Sequence, residues 1–179
     1  MTVTSAVIGT GEPGTDDDRY AMGYLHGEAY RDLDNIEIIA CADLDKSRAT
    51  KFGGEFGVPD ENCYSDHEQL LSNHTPDIMS VCVPPEFHTR IVEKCSSAGI
   101  SAVHCEKPMA DTWEQCKRMA EIARESGLQL TFNHQRRFSK PFLTAKSELE
   151  AGRIGDLRRI EFGGENLYDY GTHSFDLCG

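Results

Sequence analysis

The sequence predicts an α/β fold built as a doubly wound parallel sheet. Three observations predict it. Short apolar runs of strand type alternate with amphipathic helical stretches through residues 3–133. Turn breakers punctuate the alternation at Gly9, Gly57-Val58-Pro59, Pro84-Pro85, Gly99 and Gly127. The distinctive residue clusters fall just beyond the strand ends, the edge where open parallel sheets bind ligands.

Taken in order, residues 3–8 read as a buried strand ending at Gly9, and residues 22–33 as a helix. Residues 36–42 form the second strand, with Asp43 directly after it. A helix over 45–56, a short strand near Cys63-Tyr64 and a helix near 66–73 follow. The run 77–83 is a strand stopped by Pro84-Pro85, and 86–98 is a helix. Strand 101–105, helix 111–126 and strand 128–133 complete the alternation. Right-handed βαβ crossovers connect such strands into a parallel sheet.

The rhythm changes after residue 134. A helix over 141–151, a half-exposed strand over 157–162 and a helix beginning near 169 are expected there. Residues 1–134 are therefore expected to form one domain, and 135–179 an incomplete start of an α+β second domain. A lone strand with two helices cannot bury a core of its own.

Composition narrows the function. The 179 residues carry a net charge of −12, a field that repels nucleic acid. An acidic surface with Arg favoured over Lys is open to two readings, a halophilic source or an ordinary acidic protein. The seven cysteines include no Cys-x-x-Cys pair, and His67, His74 and His104 lack ligand spacing, so no metal is expected. Several cysteines lie in apolar strands and read as small buried hydrophobes. No segment approaches the apolar length of a membrane span, and residues 1–8 do not read as a signal peptide. A reducing cytoplasm is the expected location.

Gly9-Thr10-Gly11 follows the first strand directly. Gly9 permits a tight turn, Gly11 lets the backbone approach a pyrophosphate, and the next helix offers free N–H groups. Gly14 would complete G-x-G-x-x-G, but Asp16, Asp17 and Asp18 behind it would repel phosphates. Gly23 is the better third position, because it opens an apolar helix and stands 20 residues before Asp43. Asp43 then occupies the place of the ribose-binding acid, which makes this a Rossmann dinucleotide-binding domain. Its carboxylate favours NAD over NADP, since it would repel a 2′-phosphate; Lys46 and Arg48 nearby soften that preference.

Longer motifs occur in a fixed order. They are Met22-Gly23-Tyr24-Leu25-His26-Gly27, Cys41-Ala42-Asp43, Val83-Pro84-Pro85-Glu86-Phe87-His88, Glu106-Lys107-Pro108, Gly152-Arg153-Ile154-Gly155 and Asp169-Tyr170-Gly171-Thr172-His173. The chain thereby resembles the glucose–fructose oxidoreductase / inositol dehydrogenase (Gfo/Idh/MocA) family over essentially its whole length. The long glycine loop and Val83-Pro84-Pro85, where the family often has Thr-Pro-Asn, are departures.

The resemblance implies an NAD(P)-dependent dehydrogenase acting on CH–OH groups of sugars, polyols or related cyclic alcohols. It also implies a C-terminal domain with a large antiparallel sheet, often the oligomer contact, so a homo-oligomer is expected if that domain is complete. The alternative is a truncated or regulatory dinucleotide-binding protein without independent turnover. By the same resemblance, Lys107 stabilises negative charge on the reacting oxygen, His173 exchanges the hydroxyl proton and Asp169 positions substrate or tunes His173. Cofactor-binding positions are Gly9, Thr10, Gly11, Gly23, Asp43, Pro84, His88, Glu106 and Lys107. Glu106 orients the cofactor or Lys107. His26 is read as capping or packing near the phosphate loop. Asp176 is read as a local helix partner, and Arg136 and Arg137 as salt-bridge residues, with contact to an anionic substrate or the cofactor as the alternative.

Overall fold

Six strands, β1 (Val3–Ile8), β2 (Ile36–Ala42), β3 (Cys63–Tyr64), β4 (Ile78–Val81), β5 (Ala102–Cys105) and β6 (Gln129–Phe132), form one sheet in this computed structural model. The structure describes residues 2–13, 21–163 and 166–179. Its two compact units are residues 1–132 and 133–179.

The strand order is β3-β2-β1-β4-β5-β6, and every pairing is parallel. This is the doubly wound order with its switch point between β1 and β4, where a crevice opens beyond the strand ends. Five helices accompany the sheet: α1 (Met22–Arg31), α2 (Lys46–Phe56), α3 (His67–Asn73), α4 (His88–Ser97) and α5 (Trp113–Ser126). Their ends follow local chemistry. Asp45 and Asp66 accept the N2 amides of α2 and α3, and Thr112 with Gln115 forms a capping box on α5. Gly57 and Gly127 stop α2 and α5 in the left-handed region.

Both faces of the central strands are buried, which is why they read as continuous apolar runs rather than alternating ones. Ala6 and Ile8 of β1 join Met79, Val81, Val103 and Cys105 in one cluster with α4 and α5. Val7, one residue out of phase, packs with Ile38, Cys41, Phe52 and Tyr24 on the other side. Tyr24 and Phe52 meet edge to face at 5.3 Å, pinning α1 to α2.

Two expected elements are shorter. β4 ends at Val81, short of the expected Val83, and the expected 86–98 helix divides into a 3-10 turn (Pro85–Phe87) and α4. Pro84 and Pro85 lack the N–H groups that would prolong the strand.

The second unit holds a 3-10 turn (Gln135–Phe138), α6 (Lys140–Glu150) and α7 (Tyr170–Cys178). Arg137 grips Asp176 of α7 through Nε–Oδ2 at 2.8 Å and Nη2–Oδ1 at 2.5 Å. Arg136 lies 5.0 Å over the Tyr170 ring. The expected strand over 157–162 is a correction: these residues are not in a strand, and Leu157, Ile160 and Phe162 are exposed. Alternation supplies only a face. A strand also needs a neighbour for its backbone groups, and no described segment pairs with this one.

Candidate functional site

The carboxyl edge of the sheet is continued by backbone bonds past each strand. Gly9 N donates to Ala42 O at 2.8 Å, Cys82 N to Ile8 O at 2.8 Å and Glu106 N to Val81 O at 2.9 Å. These bonds set the glycine loop, the β4 exit and the β5 exit side by side.

Gly9 adopts φ +85°, and a Cβ there would lie 2.5 Å from Cys82 O. Only glycine satisfies both the turn and the close approach. Gly11 is also left-handed, at φ +68°. At Gly23 a Cβ would meet Gly9 O, Thr10 Cα and Thr10 O, each at 2.7 Å. The start of α1 therefore rests directly on the loop backbone, the role of the third small residue in a dinucleotide fingerprint. The competing position, Gly14, lies outside the described residues, as do Asp16, Asp17 and Asp18.

Asp43 ties this loop to β2. Its Oδ2 accepts from Gly11 N at 2.9 Å and from the buried Thr10 hydroxyl at 3.3 Å, while Oδ1 accepts from Asp45 N at 3.0 Å. Beside it opens a cavity of about 560 Å³ lined by Gly9, Gly11, Asp43, Leu44, Val83 and Pro84, among others. Gly9 and Gly11 leave backbone bare where a pyrophosphate would lie, and Asp43 stands where a ribose would. The residues present thus fit a dinucleotide. Glu12 closes the loop from outside, 2.5 Å from Lys51, whose ammonium holds the carboxyl below the usual range.

Pro84 lines this cavity, but His88 stands behind its wall, fully buried. His88 Nε2 lies 2.7 Å from Val83 O, and Nδ1 lies 3.1 Å from Pro108 O and 3.2 Å from Met109 O. The ring therefore links the β4 exit to the turn after Lys107.

At the β5 exit, Glu106 is buried and Lys107 half-buried. Glu106 turns inward. Its Oε1 lies 3.0 Å from His26 Nε2, and Oε2 accepts the Lys107 backbone N–H at 3.2 Å. His26 Nδ1 lies 2.8 Å from Ser80 Oγ, which in turn lies 2.7 Å from the Tyr30 hydroxyl. The expectation that His26 caps or packs near the phosphate loop is corrected: α1 carries it across the sheet to Ser80 and Glu106. Burial pushes up the Cys82 and Cys105 thiols, and the Glu106 charge adds to the shift.

In the second unit, Asp169 precedes α7. Its N–H donates to Asn166 Oδ1 at 2.6 Å, and its carbonyl accepts the Thr172 hydroxyl at 2.9 Å. His173, one turn further, is buried and meets the His134 ring edge to face at 5.6 Å. Lys107 belongs to the first unit, and Asp169 and His173 to the second.

Sequence reasoning assigned no role to Ser80 or Tyr30. The available signal was weak: His26 sits three residues after Gly23, on the sheet-facing side of α1, opposite a strand centre. Among the described residues, no three His, Cys, Asp or Glu side chains are grouped to hold a metal, and no helix is long and apolar enough to cross a membrane.

Comparisons with known proteins show the family of the chain. The chain is 32% identical over 158 residues to inositol 2-dehydrogenase 1 of Saccharopolyspora erythraea, covering 87% of this chain and 44% of that protein. It is 28% identical to D-glucoside 3-dehydrogenase of Escherichia coli, covering 97% of this chain and 52% of that one. An oxidoreductase from Agrobacterium radiobacter, solved with NAD+, L-tartaric acid and magnesium, shares the fold at a TM-score of 0.82 and 23% identity, over 99% of this chain and 54% of that chain. The 179 residues thus span about half the length of these proteins. The family model described as "oxidoreductase family, NAD-binding Rossmann fold" matches residues 3–134, and the chain belongs to this Gfo/Idh/MocA family.

Proposed function

We propose that the chain is the cofactor-binding part of an NAD-dependent dehydrogenase acting on a secondary alcohol of a sugar, polyol or related cyclic alcohol. The observation that carries the reading is the joining of the glycine loop to Asp43 at the β1/β4 switch point, beside the Glu106–Lys107 exit. Similarity to an inositol and a glucoside dehydrogenase supports the substrate class.

Gly9, Thr10, Gly11 and the start of α1 hold the pyrophosphate, and Asp43 accepts from the adenosine ribose. Its charge disfavours a 2′-phosphate, which selects NAD over NADP. Pro84 shapes the cavity wall, and His88 holds that wall from behind. When bound, the nicotinamide supplies the hydride acceptor or donor. The Lys107 ammonium hydrogen-bonds the reacting oxygen and stabilises the charge that develops on it. The proton from the substrate hydroxyl passes to His173, whose imidazole suits exchange near neutrality. Asp169 sits one turn before His173 and orients the substrate.

The test combines NADH titration by fluorescence with turnover on a panel of sugars and cyclitols. Lys107→Ala is expected to retain NADH affinity and to lose turnover by about 10²–10³-fold, the effect of removing one oxyanion donor. Unchanged turnover overturns the role of Lys107. Tight NADH binding with no turnover on any substrate favours a binding protein over an enzyme.

A further inference from the structure

We propose that His26 is a positioning residue for Lys107, acting through the Glu106 carboxylate; this rests on the dehydrogenase reading, in which Lys107 addresses the reacting oxygen. Glu106 is the link. One of its oxygens lies 3.0 Å from His26 Nε2, and the other accepts the Lys107 backbone N–H at 3.2 Å. The last torsion of a glutamate is broad, so one contact leaves the carboxylate plane free to turn. Contacts at both oxygens fix the plane, and with it the place where the chain leaves β5 as Lys107.

His26 is itself held. Its Nδ1 lies 2.8 Å from Ser80 Oγ on β4, and Tyr30, one helical turn along α1, brings its hydroxyl to 2.7 Å of the same oxygen. Both partners of the His26–Glu106 pair are 6% exposed at the side chain. Burying an imidazole and a carboxylate together carries a desolvation cost that an apolar pair would avoid, so the pair serves geometry better than it serves stability. The His104 ring lies 5.1 Å from His26, tilted by 30°. Burial lowers the pKa of His104, which favours a neutral neighbour.

The arrangement also joins the two halves of the site. Gly23 on α1 rests on the glycine loop, and His26, three residues later, reaches the β5 exit. A single helix thus sets both the loop and the Lys107 turn.

The experiment follows amide hydrogen exchange by NMR on the 15N-labelled chain, together with NADH affinity and, on a substrate that turns over, kcat and KM. His26→Phe keeps a ring and removes the hydrogen bonds to Glu106 and Ser80. The Lys107 amide is expected to exchange about tenfold faster and its resonance to move, while Met79 and Val103 in the sheet keep their protection. His26→Gln returns a donor toward Glu106 and is expected to restore most of the protection. On a substrate, His26→Phe lowers kcat about tenfold with KM for NAD nearly unchanged. If His26→Phe does not fold, Ser80→Ala supplies the same test with a smaller selective effect.

Unchanged Lys107 exchange overturns the proposal, as does equal acceleration of all sheet amides or no recovery in His26→Gln. Failure of the dehydrogenase reading is a separate outcome: the wild-type chain would not bind NADH, or Lys107→Ala would keep its turnover, whatever the exchange pattern shows.

Discussion

Asp43 already accepts three hydrogen bonds from its own chain, from Gly11 N, Thr10 Oγ and Asp45 N. Its carboxylate therefore shapes the glycine loop before any ribose arrives. Asp43→Asn puts an NH2 where one acceptor stood, so one of those backbone donors loses its partner. NADH affinity is expected to fall about tenfold, close to 1.4 kcal/mol. The neutral side chain no longer repels a 2′-phosphate, so the ratio of NADPH to NADH affinity should rise in parallel fluorescence titrations. An unchanged ratio removes Asp43 from cofactor choice. Gly23→Ala acts on the same loop by volume: a methyl 2.7 Å from three backbone atoms must push α1 away, at about 1–3 kcal/mol. A lowered melting temperature together with weaker NADH binding is the expected pair. Both positions were legible in the sequence because spacing carries them. Glu106 was legible as a motif member but not in its direction, since nothing in Glu-Lys-Pro says that the carboxylate turns inward. His26 was hidden for a related reason: periodicity marks a sheet-facing position without saying what lies opposite.

Among the elements, strands buried on both faces announce themselves as apolar runs, and the order of strands and helices in the first unit followed from that signal. The 157–162 segment shows where the signal ends, because alternation without a partner did not make a strand. The strands also explain the cysteines. Burial pushes the Cys41 and Cys105 thiols well above their usual range and Cys95 up to about 12. Cys82 moves the same way, and Cys178 is exposed. Ellman's reagent at neutral pH should titrate Cys178 quickly and the buried thiols only as fast as the chain opens. Rapid reaction of several thiols in the native state contradicts the buried-strand assignment. The linkage sign follows from the same shifts. Below about pH 8.5 both folded and unfolded thiols are protonated, and stability does not depend on them. Above that the unfolded chain releases protons that the folded chain retains, so their contribution falls as pH rises toward the folded values. Urea midpoints at neutral pH and near pH 10 should show this decline, and serine at Cys95 should reduce its slope.

At the scale of the whole molecule, the net charge of −12 sets up a contest that salt can decide. On one side stand exposed ion pairs, Glu12–Lys51, Glu68–Lys94 and Glu93–Arg118, which salt weakens. Each exposed pair contributes little, because solvent screens it and two long side chains lose freedom to form it. On the other side stands the mutual repulsion of the excess carboxylates, which is spread over the surface and which salt relieves. Since the pairs are individually small and the acidic residues outnumber the basic ones 30 to 18, relief of repulsion should win. The melting temperature is expected to rise between low salt and about 1 M KCl, where the screening length shrinks to about 3 Å. Replacing a surface carboxylate that has no basic partner among the described residues, such as Glu37 on β2, with Gln should raise stability at low salt and reduce the gain from KCl. A steady fall in melting temperature with added KCl would show that the ion pairs dominate, and would remove the acidic surface as a salt-adapted feature.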